Sequence, residues 1–213
     1  MKTNTTISRI LLNTLLLLII AMHTQIIMAD NKNVQVFVDE FYQQFDGMDD
    51  GLARVTLFIK FDKAVPESKR FDVMVSMLDR AVKAGPVKDE ASQPHKSALV
   101  IKSVILYLEK LLFIIPKDGH LHDMIYSLVS HPVLDVRWVL LNLSEKLKNE
   151  DRISFIKMFL SDPDNDLRSK ALGKLKDSKA DLLDYIEKNK LKVEFKDSVE
   201  DAKWWLDNME KAK

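Results

Sequence analysis

Apolar side chains recur at helical spacing along most of this chain. Val34, Phe37, Val38, Phe41, Tyr42 and Phe45 fall on one side of a helix, which Gly47 is placed to end. Asp49 or Asp50 caps a second helical run over 52–61, and Pro66 stops it. Residues 67–84 put Phe71, Met74, Val75, Leu78 and Val82 on one face, with Gly85-Pro86 as the stop. The run 97–115 is apolar almost all round, which marks a buried helix rather than a surface one. After a turn at 116–119, helical runs over 121–129 and 133–148 are expected to pair, then 153–160 with 166–176. Runs at 182–187 and 199–209 close the pattern. Residues 192–195 alternate polar and apolar, but the stretch is too short for a strand. The pattern predicts an all-α chain with short turns, and the low counts of 5 Gly and 6 Pro agree.

One stretch is written twice. Ser130-His131-Pro132-Val133-Leu134-Asp135-Val136-Arg137 is followed 31 residues later by Ser161-Asp162-Pro163-Asp164-Asn165-Asp166-Leu167-Arg168. Both read Ser-x-Pro-x-x-Asp-aliphatic-Arg, and both open an apolar helical run. A fixed period of this length marks units that bury their apolar faces against their neighbours. Fainter echoes lie at Ser92-Gln93-Pro94 and around Asp197, Val199 and Ala202. Terminal units of such arrays are expected to be atypical, because they present a polar outer face.

These residues resemble a HEAT repeat of the short, armadillo-type variety, with the resemblance clear over 120–176. It implies a short α-solenoid of stacked antiparallel helix hairpins. It also implies that Asp162, Arg168 and Arg137 bond along the stack, with His131 as a weakened rung where the family carries a turn acid. The repeat motif is then Pro132, Asp135, Arg137, Asp162, Pro163, Asp166 and Arg168. The polar loop 88–94 is the expected seam between an N-terminal helical part, 30–87, and the repeat part, 88–213, within one continuous domain over 30–213.

The N-terminus changes the picture of location. Lys2 and Arg9 precede an apolar core over 10–22, and Ile27-Met28-Ala29 offers a small-residue cleavage site, so 1–29 reads as a signal peptide. That core is too short to span a bilayer comfortably, although retention as an anchor is the alternative. The expectation is an exported chain, periplasmic or secreted, with no stable membrane span after cleavage. The first 29 residues hold two basic and no acidic side chains, so the remaining 184 carry 30 basic against 32 acidic. This near-neutral balance, with no basic stripe, argues against nucleic acid. The chain has no Cys, so no disulfide framework and no thiol nucleophile are available.

Little else points to chemistry. Asp162, Asp164 and Asp166 resemble the opening of a calcium loop, but Leu167 and Gly173 stand where that loop needs Gly and a bidentate Glu. Helix capping is the stronger reading of those carboxylates. His120, His122, Asp123 and His131 cluster in sequence without the spacing of a helical metal site. A metal-dependent hydrolase using His120, His122 and the 162–166 loop is therefore the rival from another class, and neither metal nor cofactor is expected. Trp138 is more telling. Val136, Leu140, Leu143 and Leu147 share one face of its helix, whereas Trp138, Leu134 and Leu141 point the other way beside Asn142. The resemblance implies that the second helix of each unit lines a recognition surface. Trp204 lies opposite the face formed by Val199, Ala202, Leu206 and Met209 and makes a second candidate anchor. The expectation is a non-enzymatic helical module that binds a protein or peptide through Trp138, Leu134, Leu141, Asn142 and Trp204. An inhibitor or immunity-type protein of a secreted enzyme is a variant of the same reading.

Overall fold

A computed structural model describes residues 33–48, 50–85, 96–111 and 119–211. The expected signal peptide, the Lys88–Pro94 seam and Asp49 lie outside the described residues. The fold is all-α. Ten α-helices and no strand occur among the described residues: α1 Val34–Asp46, α2 Gly51–Ala64, α3 Glu67–Ala84, α4 Lys96–Leu111, α5 His120–Ser127, α6 Leu134–Leu143, α7 Asn149–Met158, α8 Asn165–Lys174, α9 Lys179–Asn189 and α10 Lys196–Lys211. None of them is long and apolar enough to cross a membrane. The alternating stretch near 192–195 forms a 3₁₀ turn, Val193–Phe195.

Helix ends follow from local chemistry. The Asn33 side chain caps α1, and Asp50 caps α2 by accepting from the N–H groups of Leu52 and Ala53 at 3.1 and 3.3 Å. Each cap satisfies amide donors that the first helical turn leaves without a partner. Pro66 offers no N–H, and α2 ends at Ala64. Gly85 closes α3 with φ +68°, a conformation that costs glycine little.

The chain packs as two compact units divided between Ser76 and Met77, inside α3. In the first, α1 buries Phe37, Val38, Phe41, Tyr42 and Phe45, and the Phe41 ring lies 5.1 Å from that of Phe61 on α2. Arg54 is fully buried beside the Phe45 ring and donates to the Met48 carbonyl.

In the second unit, α4 buries Val100, Ile101, Val104, Ile105 and Leu108 and packs on α6. Two series of contacts then run along the sequence. In one, Tyr126 of α5 meets Phe155 of α7 with ring centroids 4.9 Å apart, and Lys157 of α7 pairs with Asp181 of α9 at 2.6 Å. In the other, Lys102 of α4 pairs with Asp135 of α6, Glu145 just after α6 pairs with Lys174 of α8, and Ser169 of α8 bonds Asp201 of α10. Leu172, Leu182, Tyr185, Val199 and Ala202 close the C-terminal core between α8, α9 and α10. Each buried Leu there contributes roughly 1.5–3 kcal/mol relative to exposure.

Candidate functional site

The duplicated octapeptide builds two corners with the same bonds. Helix α5 tightens into a 3₁₀ turn at Leu128–Ser130 before Pro132, and α7 does the same at Phe159–Ser161 before Pro163. A proline corner leaves carbonyls without helical partners. In the first corner Arg137 Nη1 donates to the carbonyls of His131 and Pro132 at 2.8 and 3.1 Å. In the second, Arg168 Nη1 donates to those of Asp162 and Pro163 at 2.7 and 3.1 Å. An arginine in the first turn of the following helix thus folds back to satisfy its own corner.

The corners are also tied to each other. Arg137 donates through Nε and Nη2 to Asp162 at 2.7 and 3.0 Å, a bidentate and almost fully buried ion pair. Asp162 Oδ1 also accepts from the Asp164 N–H at 2.8 Å. His131 occupies the matching place in the first corner, where its Nδ1 accepts from the Val133 N–H at 3.2 Å. Further along, Arg168 donates to the Glu194 carbonyl at 2.6 Å and to Ser198 at 3.3 Å, and its guanidinium lies over the Phe195 ring at 4.6 Å. Asp135 and Asp166 sit in the first turns of α6 and α8, where negative charge opposes the helix dipole. Pro132 and Pro163 are exposed at the corners.

The candidate recognition residues separate. Trp138 is half-buried, with the Lys170 ammonium 4.3 Å from its ring centroid. Burial and the like charge of Lys174 lower the Lys170 pKa, against an opposing pull from Glu145. The hydrogen bond from Lys174 holds the Glu145 carboxyl below its ordinary range. Leu134 and Asn142 are also half-buried. Leu141 departs from the expectation: it is fully buried and presents no surface to a partner. The physical reason is that α6 is enclosed on more than one side, with six of its ten residues buried, so an outward wheel position still meets a neighbour. Trp204 is 57% exposed, in edge-to-face contact with the half-buried Trp205 at 4.5 Å. The two tryptophans stand on α6 and α10, and α8 reaches towards both: Lys170 covers Trp138, and Gly173 lies beneath Trp205.

The histidines do not converge. His120 bonds Asp79 of α3 at 2.8 Å, His122 stacks on Tyr126 at 4.1 Å, and His131 is held in its corner. Among the described residues, no group of three or more His, Asp or Glu is arranged to hold a metal ion. Asp164 caps α8 by accepting from the Leu167 N–H at 2.8 Å, and Asp162 is occupied by Arg137. Those bonds engage two of the three carboxylates of the calcium-loop reading, and Asp166 is exposed in the first turn of α8.

Sequence reasoning missed Lys170 as the cover of Trp138. Nothing in the spacing of the two residues announces that contact, because it is made between helices. No protein-family model, curated protein or solved structure matches the chain.

Proposed function

We propose that residues 88–213 form a short HEAT-like module, exported and non-enzymatic, that binds a protein or peptide along its second helices. The paired corners support the repeat reading: Arg137 and Arg168 make the same two carbonyl bonds 31 residues apart, and Arg137 reaches the next corner at Asp162. The two series of contacts, α5 to α7 to α9 and α4 to α6 to α8 to α10, fit a stack in which first and second helices form separate layers.

The observation that carries the binding reading is Trp204. A tryptophan more than half exposed, on a helix whose other apolar residues turn inward, leaves a large rigid surface for a partner to desolvate. Trp138, Leu134 and Asn142 extend the same proposal to α6, where a partner would compete with Lys170 for the indole face.

The test is capture from the cell envelope or culture medium of the source, with wild-type, Trp204→Ala and Trp138→Ala chains compared at matched thermal stability. A partner retained by wild type and lost by Trp204→Ala is the expected result. Capture of the same proteins at equal yield by all three chains would overturn the assignment.

A further inference from the structure

Helix α2 is apolar on both sides. Leu57 and Phe61 are buried beside Arg54, yet Leu52, Val55 and Ile59 are 74%, 40% and 54% exposed on the opposite side, with exposed Thr56 between them. Their spacing places them in one stripe along the helix. No charged side chain interrupts the stripe between Asp50 and Lys60, because Arg54 turns inward. Exposure alone is not the signal. Leu191 and Val193, in the link between α9 and α10, are 89% and 87% exposed. There Lys188 is already paired with Asp184, and Lys190 with Glu187.

The stripe of α2 carries opposite charge at its two ends. Residues 46–54 hold Asp46, Asp49 and Asp50 with the buried Arg54, net −2. Residues 60–70 hold Lys60, Lys63, Lys69 and Arg70 against Asp62 and Glu67, net +2. Asp50 caps α2 and remains exposed. Asp62 lies 3.9 Å from Arg70, away from the stripe. Among the described residues, no hydrogen bond or ion pair occupies the exposed Lys60 or Lys63.

We infer that this face pairs with a second copy of itself: two chains join through α2, antiparallel about a twofold axis beside Val55 and Thr56. A twofold contact sets one surface against itself, so the two ends of that surface must suit each other. In the antiparallel register that sets Leu52 against Ile59 of the second copy, Lys60 falls beside Asp50 and Lys63 lies over the same acidic end. A parallel pair would set lysine against lysine and aspartate against aspartate. An anionic lipid surface would be repelled by the acidic end, and a strongly basic or acidic protein would match one end and oppose the other. Three apolar side chains make a small contact, so the dimer is reversible rather than obligate. This inference does not depend on the partner-binding reading, because it concerns neither Trp138 nor Trp204.

The lack of any cysteine allows a direct test in the full chain. Single cysteines report on α2 itself, whatever the segment 10–22 does. Val55→Cys lies at the axis and is expected to form a disulfide-linked dimer under mild oxidation. In the antiparallel pair Leu52 is offset from its own copy by about 10 Å along the helix, and so is Ile59. That exceeds the roughly 7 Å Cα separation that a disulfide spans. Leu52→Cys and Ile59→Cys are therefore each expected to stay uncrosslinked alone and to crosslink when mixed. Leu191→Cys, which is barer still, is expected not to crosslink. Lys60→Glu with Lys63→Glu is expected to slow crosslinking at position 55 by about tenfold. Three outcomes would each sink the inference: Val55→Cys uncrosslinked, whether open to a maleimide or shielded from it by some other segment or protein; Leu52→Cys and Ile59→Cys each crosslinking alone as fast as Val55→Cys; or a rate at 55 unchanged by the lysine reversal.

Discussion

At the scale of residues, the second unit is organised by arginines that serve backbone first and carboxylate second. Arg137 satisfies two corner carbonyls and holds Asp162, so the pair is more than an isolated buried salt bridge. Asp162→Ala leaves that guanidinium buried without its counter-charge. It is expected to lower unfolding free energy by about 3–5 kcal/mol in urea titrations. A double replacement, Arg137→Met with Asp162→Leu, is expected to recover only part of the loss. The carbonyls of His131 and Pro132 would still lack their donor. Full recovery would mean that the corner bonds contribute nothing. Gly173 gives the opposite case. A Cβ there would sit 3.5 Å from Trp205, an ordinary contact, in the last turn of α8. Gly173→Ala is therefore expected to stabilise by roughly 0.5–1 kcal/mol, chiefly by restricting the unfolded chain, with tryptophan fluorescence unchanged.

At the scale of elements, helices in the second unit are joined by charged pairs as well as by apolar faces. The Lys157–Asp181 pair links α7 to α9. Burial raises the Asp181 pKa, but hydrogen bonds from Lys157 and Ser178, together with the Lys157 charge, bring it below the ordinary 3.8. A depressed carboxyl pKa contributes stability that is complete above the unfolded value and is lost as the pH falls through the folded one. Denaturation midpoints are thus expected to drop below about pH 4, and Asp181→Asn is expected to flatten that slope while lowering stability at neutral pH. An unchanged slope in the variant would assign the acid sensitivity to other carboxylates. Asp79 belongs to the same class, held low first by the hydrogen bond from Lys83, and it contributes to the slope that remains.

At the scale of the whole molecule, helix content was legible because apolar spacing and boundary residues agree. Helix α3 runs Glu67–Ala84 as its spacing and Gly85 predict, and Asp50 caps α2 where an acid precedes the apolar run. The break inside 133–148 was not legible. Helix α6 stops at Leu143, and a 3₁₀ turn over Ser144–Lys146 follows, because Ser144 Oγ bonds back to the Leu141 carbonyl at 2.6 Å. Nor does composition place Arg54 in the interior, since a charged residue at that position reads as a solvated face.

The sequence by itself determined that the chain is all-α, where most helices begin and end, and that two corners share one chemistry. Spacing, capping and proline act over a few residues, so they can be read in one dimension. Only the tertiary structure decided which outward-facing residues stay outward. Leu141 and Trp138 are three positions apart on one helix, yet neighbouring helices bury the first and leave the second beneath a single lysine. Leu191 and Val193 in turn stay bare because Arg168, more than twenty residues away, fixes the turn that presents them. Burial is a property of what packs against a side chain, and the chain order does not state its neighbours.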